Sequence, residues 1–331
     1  MNRKEFDKSQ LQVTPMGLGL AALGRPGYIN LGHAQDLAKT YDVAAMESHA
    51  HAVLDTAWQR GIRYFDAARS YGRAESFLST WLSNRHIDPA EVVVGSKWGY
   101  TYTADWQVEA EKHEIKEHSL PVFQRQLDES RRLLGDHLNI YHIHSATLES
   151  GVLDNQEVLS ALARAREAGL IIGLSLSGPS QSATLRQAMA INFDGKPLFR
   201  SVQATWNLLA REAGGVLSEA HDAGMGVIVK EALANGRLTD RNDDPLFAQQ
   251  LHLLAAVAEE AGTTIDGLAL AAVLAQPWAD VVLSGAAQSA HLLSNIGALD
   301  VVWSDELEDR LAGLVEPAQY YWQRRSELDW N

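Results

Sequence analysis

Hydrophobic and polar positions follow a regular alternation along the chain, in which a short apolar run rich in β-branched residues is followed by a longer amphipathic stretch. Short apolar runs bounded by small or polar residues are typical of buried strands, whereas apolar positions spaced three and four residues apart are typical of helices. The pattern predicts strands at residues 16–22, 62–66, 92–97, 139–144, 170–175, 201–205, 225–230 and 281–284.

Amphipathic stretches fill the intervals between these strands, and the residues that bound them have the chemistry of helix ends. Gly61, Gly169 and Gly224 each follow a predicted helix, where a residue of left-handed conformation is favoured. Ser119 with Pro121 predicts a helix start, because proline fits the first helical turn. The predicted helices span residues 44–60, 73–84, 119–135, 154–168, 180–190, 212–223, 264–275 and 288–299, with an additional helix at 241–258.

The strict alternation of strand and helix predicts parallel strands that are joined by crossover helices. Eight such units in about 300 residues fit a closed barrel better than an open doubly wound sheet. A Rossmann-type sheet is the alternative, but Gly17-Leu18-Gly19 lacks the third glycine and the following helix of the dinucleotide fingerprint. The predicted fold class is therefore α/β, a single (β/α)8 TIM barrel domain over residues 1–331, with its core at about 12–315 and a C-terminal extension at 316–331.

Composition and charge narrow the classes of function. Of the 331 residues, 46% are hydrophobic and 21% are charged, which is the balance of a globular protein with a sizeable core. The formal charge of −14 argues against nucleic acid or an anionic membrane as a general partner, and the absence of cysteine excludes disulfides and thiolate metal sites. No secretory h-region or membrane-spanning run is present, so we expect a cytoplasmic protein. The oligomeric state stays open.

Four polar side chains fall at or just beyond the ends of predicted strands. Asp66 ends the second predicted strand, Lys97 the third and His144 the fourth, and Tyr71 lies five residues after Asp66. In a barrel, these strand ends meet at the face that carries the chemistry. A buried lysine is costly unless it is paired, and Asp66 on the neighbouring strand is the expected counter-ion of Lys97.

Together these side chains indicate one reaction. A tyrosine hydroxyl titrates near pH 10 and is a feeble acid at neutral pH. We expect Lys97 to lower the pKa of Tyr71, so that Tyr71 can donate a proton to a carbonyl oxygen while Asp66 holds Lys97 in place. His144 can donate a hydrogen bond to the same oxygen. None of the four is a hydride source, so a cofactor has to supply the reducing equivalent.

The motifs around these residues resemble those of the aldo-keto reductase family, in the same order and at the same spacing. The resemblance covers about residues 12–315 and implies reversible NAD(P)-linked conversion of an aldehyde or ketone to its alcohol, or of a sugar lactol to its lactone. The motifs are the stretch 61–72 with Glu75, Gly95-Ser96-Lys97, Asn139-Ile140-Tyr141-His142-Ile143-His144, the stretch 169–175, Val202-Gln203, and Ser284-Gly285-Ala286 with Asn295.

The same resemblance implies a role for each matching residue. Tyr71 would be the general acid/base, Lys97 and Asp66 would tune it, and His144 would orient a small-molecule carbonyl or sugar substrate. The implied cofactor is NADP or NAD, with NADP slightly favoured. Ser175 and Gln203 would bind the nicotinamide carboxamide. The residues implied at the ribose and phosphate end, where a helix N-terminus suits an anion, are Gly285, Ala286, Ala287, His291 and Asn295.

Several positions depart from the family pattern. Leu176 stands where an asparagine often follows the serine, and Lys230 and Glu231 stand where an aromatic residue commonly stacks on the nicotinamide ring. Gly285 and His291 replace the lysine and arginine that grip a 2′-phosphate in many members. The segment 285–291 therefore offers no permanent positive charge and no carboxylate. We expect discrimination between NADP and NAD to be modest.

Alternative functions follow from the same residues. The enzyme could work in the oxidative direction as a sugar or pyridoxal-type dehydrogenase, or the chain could be a non-catalytic, cofactor-binding redox sensor that resembles channel β-subunits. The pair His142-x-His144 could suggest a metal site, but Ser175, Thr205 and Ser284 at later strand ends add no ligand. We therefore expect no metal and a hydrogen-bonded core histidine at position 142.

Aromatic residues near strand ends have two interpretations at this stage. Trp98, Tyr100 and Trp206 lie just past predicted strands, where they could line a substrate pocket or serve in ordinary packing. The segment 320–325 is rich in aromatic side chains. We expect it to dock on the barrel rather than extend into solvent.

Overall fold

The computed structural model describes residues 1–6 and 11–331, and its centre is a closed barrel of eight parallel strands. Each strand pairs with its neighbours in chain order, and the last pairs with the first. The predicted (β/α)8 barrel is confirmed, and the doubly wound alternative is wrong. The strands β1–β8 are Met16–Gly19, Tyr64–Asp66, Val93–Trp98, Leu138–Ala146, Ile171–Leu176, Ser201–Thr205, Gly226–Lys230 and Val281–Ser284.

A helix lies between or after successive strands, with ends close to the predicted ones. Asp42 caps the first helix by accepting a hydrogen bond from the Ala45 amide at 3.0 Å, which satisfies an amide that the helix itself leaves free. Gly61, Gly169 and Gly224 all have positive φ, as expected of residues that terminate helices. The helices α1–α8 are Val43–Gln59, Ala74–Asn84, Leu120–Leu134, Gln156–Glu167, Gln181–Met189, Gly214–Asp222, Ile265–Leu274 and Ser289–Gly297.

Strand register brings the polar ends of β2, β3 and β4 to one face of the barrel. Asp66 pairs with Gly95 on β3, and Lys97 pairs with His142 on β4. Side chains two residues apart on a strand share a face, so Lys97 follows Gly95 and His144 follows His142 toward the same end. Asp66, Lys97 and His144 therefore converge at the carboxyl-terminal mouth.

The opposite end of the barrel is filled by apolar side chains. The antiparallel pair Lys4–Phe6 and Leu11–Val13 packs at this end, and the Phe6 ring lies so close to Gly226 that a Cβ there would be 2.2 Å from it. Chemistry is thereby confined to the other mouth. The buried cluster at this end consists of Phe6, Val13, Tyr64, Val93, Ile140, Ile171, Ile228, Val281 and Leu283.

Additional elements surround the mouth. The antiparallel pair Tyr100–Tyr102 and Glu114–Lys116 follows β3, and helix Ala248–Glu260 follows β7 a few residues later than predicted. Helix Ala318–Ser326 buries Tyr321 and Trp322, which confirms that the tail docks on the barrel. Within residues 1–6 and 11–331, no helix combines the length and apolarity that crossing a bilayer requires.

Candidate active site

A cavity of about 1100 Å³ opens at the carboxyl-terminal mouth of the barrel, and the structure brings most of the predicted site residues to its wall. Lys97 and Ser175 are the exceptions, because both side chains are fully buried behind the wall. The predicted residues that line the cavity are Asp66, Tyr71, His144, Gln203, Gly285, Ala286, Ala287, His291 and Asn295.

Lys97 is the centre of the reacting end. Its ammonium donates hydrogen bonds to the Asp66 carboxylate, to the carbonyl oxygen of Ala67 at 2.9 Å and to the Tyr71 hydroxyl oxygen at 3.3 Å. All three donors of the ammonium are thereby used. Since Lys97 donates to the phenol oxygen, the proton of Tyr71 is free to point into the cavity. The expected pairing of Lys97 with Asp66 agrees with this geometry.

The pKa of Tyr71 shifts in the opposite direction to the one expected. Burial raises it well above the ordinary value of 10.0, and the negative charge of Asp66 raises it further, while Arg25 lowers it. Lys97 is in direct contact with Asp66, so the two charges oppose each other at Tyr71. The net shift is therefore upward and not downward as expected, because burial and the Asp66 charge outweigh the favourable effect of the Lys97 ammonium on the phenolate. Tyr71 is protonated at neutral pH, which is the form that a proton donor needs.

His144 stands beside Tyr71 as a neutral imidazole. Burial lowers its pKa well below 6.5, and the positive charges of Lys97, Arg25 and Lys230 lower it further. Its ring packs edge-on against Tyr71 with centroids 5.5 Å apart, and Nδ1 lies 3.4 Å from the Ser70 hydroxyl. If Ser70 donates to Nδ1, the Nε2–H of His144 is left as a donor toward the cavity.

A buried polar network supports the loop that carries Tyr71. Glu75 pairs with Arg69 and accepts hydrogen bonds from the hydroxyls of Ser96 at 2.5 Å and Ser130 at 2.7 Å. Arg69 also pairs with Glu129 at 2.8 Å. Each charge in the network has a partner, as a buried carboxylate requires. The loop after β2 is thereby tied to α3 and β3.

Gln203 and Ser175 were expected to share one ligand, but their surroundings differ. Gln203 lines the cavity, and its amide nitrogen donates to Asp66 Oδ2 at 2.9 Å. Ser175 Oγ accepts the backbone N–H of Ser145 at 2.9 Å. Ser145 follows His144 directly and has a positive φ of 52°. Ser175 thus holds the turn after His144, and its assignment to the cofactor stays a prediction.

The segment from Gly285 to the start of α8 is a part of the cavity wall that could bind an anion. Gln288, at the N-cap of α8, offers no capping side chain to the free amides of the first turn. A Cβ added to Gly285 would meet no atom within 4 Å, so the backbone there is open to a ligand. Asn295 is hydrogen-bonded to Ser284 Oγ at 2.8 Å, which joins α8 to the end of β8. These features fit the phosphate-bearing part of a dinucleotide.

The charges at this end of the cavity were not predicted. Arg241 forms a two-pronged pair with the Asp36 carboxylate at 2.6 and 2.9 Å, and its guanidinium lies 3.0 Å from His291 Nε2. The segment 285–291 itself has no permanent charge and no carboxylate, as expected, but Arg241 and Asp36 bring both to this end of the cavity. Asp36 follows β1 and Arg241 follows β7. Because they are far apart in sequence, motif spacing around residue 285 could not indicate either.

The end of β7 carries a second buried ionic group. Lys230 donates to Thr205 Oγ1 at 2.8 Å and lies 3.6 Å from Glu231, while Arg325 of the tail donates to Glu231 at 2.9 and 2.5 Å. Burial lowers the pKa of Lys230 to about 8. Burial opposes ionisation of Glu231, but the charges of Arg325 and Lys230 prevail and hold its pKa at about 2. The tail therefore takes part in the cavity wall.

The remaining wall is aromatic and contains one further cation. The Arg25 guanidinium lies 4.8–5.3 Å from the ring centroids of Tyr28, Tyr71 and Trp330, and it pairs with Glu114 at 3.0 Å. A guanidinium over aromatic faces is a favourable arrangement. Arg25 lies in a loop without a recognisable motif, so its place in the cavity could not be predicted from sequence.

The open interpretations of three aromatic residues are now resolved. Tyr100 lines the cavity and packs on the His144 ring at 4.9 Å. Trp98 is buried against Phe123, and Trp206 is buried against Trp278, so both serve in packing.

His142 is a core histidine, as expected. It is fully buried, and its Nε2 lies 2.9 Å from Ser201 Oγ. Burial lowers its pKa to about 3, so the ring is neutral. Among residues 1–6 and 11–331, no three His, Asp or Glu side chains are grouped as metal ligands would be.

Comparisons with known proteins show what this chain is similar to. The sequence model of the family described as "Aldo/keto reductase family" matches residues 15–316. The chain is 26% identical over 332 residues to the L-glyceraldehyde 3-phosphate reductase of Escherichia coli (strain K12), covering 91% of this chain and 88% of that protein. It is 23% identical over 317 residues to the oxidoreductase YqkF of Bacillus subtilis (strain 168), covering 90% and 91%.

A solved structure has the same overall fold. The holo form of the aldo-keto reductase AKR11C1 from Bacillus halodurans superposes with a TM-score of 0.73. It is 20% identical in sequence, and the match covers 96% of this chain and 97% of that one. At this identity the likeness establishes the barrel fold, and the chemistry has to be argued from the side chains.

Proposed function

The chain belongs to the aldo/keto reductase family, and on that premise we propose that it reduces an aldehyde or ketone to the alcohol with Tyr71 as the proton donor. It is an NAD(P)-dependent oxidoreductase. The observation that carries the proposal is the contact of Lys97 with both Asp66 and Tyr71 at the wall of the cavity. A purely structural Lys97–Asp66 ion pair would not require the protonated Tyr71 hydroxyl to face the cavity.

The proposed proton transfer uses residues of this chain alone. The Tyr71 hydroxyl gives its proton to the substrate oxygen, and the resulting phenolate is stabilised by the Lys97 ammonium, which already donates to it at 3.3 Å. His144 orients the same oxygen through its Nε2–H. Asp66 and the Ala67 carbonyl hold the Lys97 ammonium in position. The nicotinamide cofactor, when bound, supplies the hydride that such a reduction requires.

We assign the cofactor NADP or NAD to the far half of the cavity. The open backbone at Gly285, the free amides at the start of α8 and the Arg241 guanidinium fit its phosphates. Gln203 would face the carboxamide. The group proposed to hold the adenine ribose and phosphate end is Gly285, Ala286, Ala287, His291 and Asn295.

The substrate class is proposed at the level of a small carbonyl compound or sugar. The relative from Escherichia coli bears the name of a reductase of a phosphorylated aldehyde. The cavity of this chain has aromatic and charged walls from Arg25, Tyr28, Tyr100 and Glu114, which suit a polar substrate better than an apolar one.

Steady-state assays with purified protein test the proposal. Both reduced cofactors are combined with a panel of aldehydes, ketones and sugars, and both oxidised cofactors with the matching alcohols and lactols, while nicotinamide absorbance is followed. We expect turnover of at least one carbonyl compound. Faster turnover in the opposite direction would identify the dehydrogenase alternative. Tight cofactor binding without turnover of any substrate would contradict the enzyme and favour the redox sensor.

A further inference from the structure

Lys230 is an ammonium of the cavity wall that has donors to spare. Its side chain is 17% exposed and lines the cavity at the end of β7. Among residues 1–6 and 11–331, the hydrogen-bond acceptor of its ammonium is Thr205 Oγ1, at 2.8 Å. An ammonium has three donors. Two of them are therefore free to meet a ligand.

The neighbouring carboxylate pairs with Lys230 without occupying the free donors of its ammonium. Glu231 Oε1 lies 3.6 Å from the ammonium, beyond hydrogen-bond range, and it already accepts two N–H groups of Arg325. Glu231 Oε2 accepts the hydroxyl of Thr205 at 2.8 Å. The backbone of Glu231 has a positive φ of 56°, and its carbonyl accepts the Asn207 amide at 2.8 Å. This residue is fixed from several sides and cannot turn toward Lys230 without losing those bonds.

The other cations near the reacting end are less available to a ligand. Lys97 is fully buried and uses its three donors on Asp66, Ala67 and Tyr71. Arg25 Nη1 donates to Glu114 at 3.0 Å and to the Ser70 carbonyl at 3.1 Å, and the Arg25 side chain is only 3% exposed. Lys230 is therefore the cation of this group that is best able to form new bonds.

Lys230 also lies close enough to the reacting end to act on a small substrate. Lys230, Tyr71 and His144 line the same cavity, and the charge of Lys230 lowers the pKa of both His144 and Asp66. An anionic group that is attached a few atoms from a carbonyl could contact Lys230 while the carbonyl oxygen contacts Tyr71 and His144. A neutral substrate would leave the ammonium unmatched.

We propose that Lys230 is a specificity-determining residue that binds an anionic group, a carboxylate or a phosphate, carried by the carbonyl substrate. This inference rests on the proposed reductase function and adds the chemical class of the substrate. Arg325 is a positioning residue in this arrangement, because its two bonds to Glu231 Oε1 hold that oxygen outside hydrogen-bond distance of Lys230. A charge-assisted hydrogen bond contributes about 10- to 100-fold in affinity.

Matched pairs of aldehydes test this role. Succinic semialdehyde is compared with butanal for the carboxylate, and glyceraldehyde 3-phosphate with glyceraldehyde for the phosphate. For wild type we expect the charged member of at least one pair to have a kcat/KM about 10-fold or more above the neutral member. The pair that shows this preference identifies the anion.

Variants at position 230 separate binding from folding. Lys230→Met and Lys230→Gln should lower the charged-to-neutral ratio of kcat/KM about 10-fold or more, mainly through KM of the charged member, whereas Lys230→Arg should retain the preference. Lys116→Met, which removes an exposed lysine near Tyr100, is the matched control and should keep the wild-type ratio. Thermal unfolding checks that each variant is folded.

The outcomes distinguish the two proposals. Turnover of these aldehydes with no charged-to-neutral preference in wild type, or with a preference that Lys230→Met leaves in place, overturns the role of Lys230 and leaves the reductase function standing. Failure of every carbonyl compound to turn over overturns the proposed function, and this inference with it.

Discussion

The ends of β3 and β7 each present a lysine to the same barrel mouth, and the two side chains have different surroundings. Lys97 on β3 is fully buried and bonded to Asp66, Ala67 and Tyr71. Lys230 on β7 reaches the cavity, and within the described residues 1–6 and 11–331 its ammonium has one hydrogen-bond acceptor, Thr205. A saturated cation, whose donors are all bonded, can shift the ionisation of a neighbouring group. An unsaturated cation, which has free donors, can bind a ligand. Residue type and strand position are alike, so the partners decide the role.

The largest effect is expected from removing the saturated lysine. Lys97→Met leaves the buried Asp66 carboxylate without its counter-ion, which typically costs about 3–5 kcal/mol of stability. Tyr71 also loses the ammonium that would stabilise its phenolate, so kcat should fall on the order of 100-fold or more. Chemical denaturation and steady-state kinetics measure the two effects. A folded, near-normally active Lys97→Met enzyme would remove Lys97 from the site, and Lys116→Met serves as control.

Arg241 extends the comparison to the far end of the cavity, where a cation is paired but keeps some donors. Arg241→Gln should weaken NADP binding about 10-fold while changing NAD binding little, because a 2′-phosphate favours guanidinium contacts. Asp36→Asn should move the ratio of the two dissociation constants the opposite way, since it releases the guanidinium. Fluorescence titration with both cofactors gives these constants. Equal losses for NADP and NAD would place Arg241 away from the 2′-phosphate.

A third change should leave Lys230 at the end of β7 with fewer free donors, like Lys97 at the end of β3. Arg325→Gln frees Glu231 Oε1 to accept a hydrogen bond from the Lys230 ammonium, so the charged-to-neutral ratio of kcat/KM should fall about 3- to 10-fold. Arg324→Gln is the matched control, because Arg324 lies on the same helix but pairs with Asp244 at 2.6 Å. The kcat/KM ratio for the matched aldehyde pairs is measured for both variants. An unchanged ratio in Arg325→Gln would show that the tail does not position Lys230.

The smallest effect is a pH dependence that should belong to Lys230 alone. Its pKa is lowered to about 8 by burial, so it loses its charge as pH rises through 8, and the charged-to-neutral ratio should fall about fourfold between pH 7 and pH 8.5. Glu231, with a pKa of about 2, and His144, with a pKa well below 6.5, keep one form over this range. The other charged groups that face Lys230 are Arg325, Lys97 and Asp66.

The charged-to-neutral ratio of kcat/KM is used because an ionisation that affects both substrates equally cancels in it. The profile for Lys230→Arg should stay flat, because a guanidinium does not titrate in this range. A fall that persists in Lys230→Met would assign the titration to another group.

The elements that sequence predicted well are those with local signals. Apolar runs ended by Asp66, Lys97 and His144 locate strands of the barrel, and strand register then brings these residues together. The helices α1–α8 were predicted within two residues at either end, because caps and glycines such as Gly61 mark their boundaries. The additional helix predicted at 241–258 begins seven residues later, at Ala248. The reacting end could therefore be predicted before the fold was known.

The parts that sequence missed depend on long loops and on electrostatics. Arg25, Arg241 and Arg325 enter the cavity from segments without motifs, and only the folded chain brings Arg241 to His291. The short antiparallel pair that contains Tyr100 and Glu114 has too few residues to show a period. The sign of the Tyr71 pKa shift was missed because burial outweighs the neighbouring ammonium, and burial is a property of the whole fold.

Transient kinetics of Tyr71→Phe test the central claim most directly, since the variant removes one hydroxyl from the cavity wall and keeps the ring. With the best carbonyl substrate found in the assays above, we expect the single-turnover rate to fall about 10²–10⁴-fold, the usual contribution of a general acid. The cofactor dissociation constant should change less than about twofold, because the lost proton donor lies at the reacting end. A single-turnover rate within a few fold of wild type would contradict the assignment of Tyr71 as the proton donor.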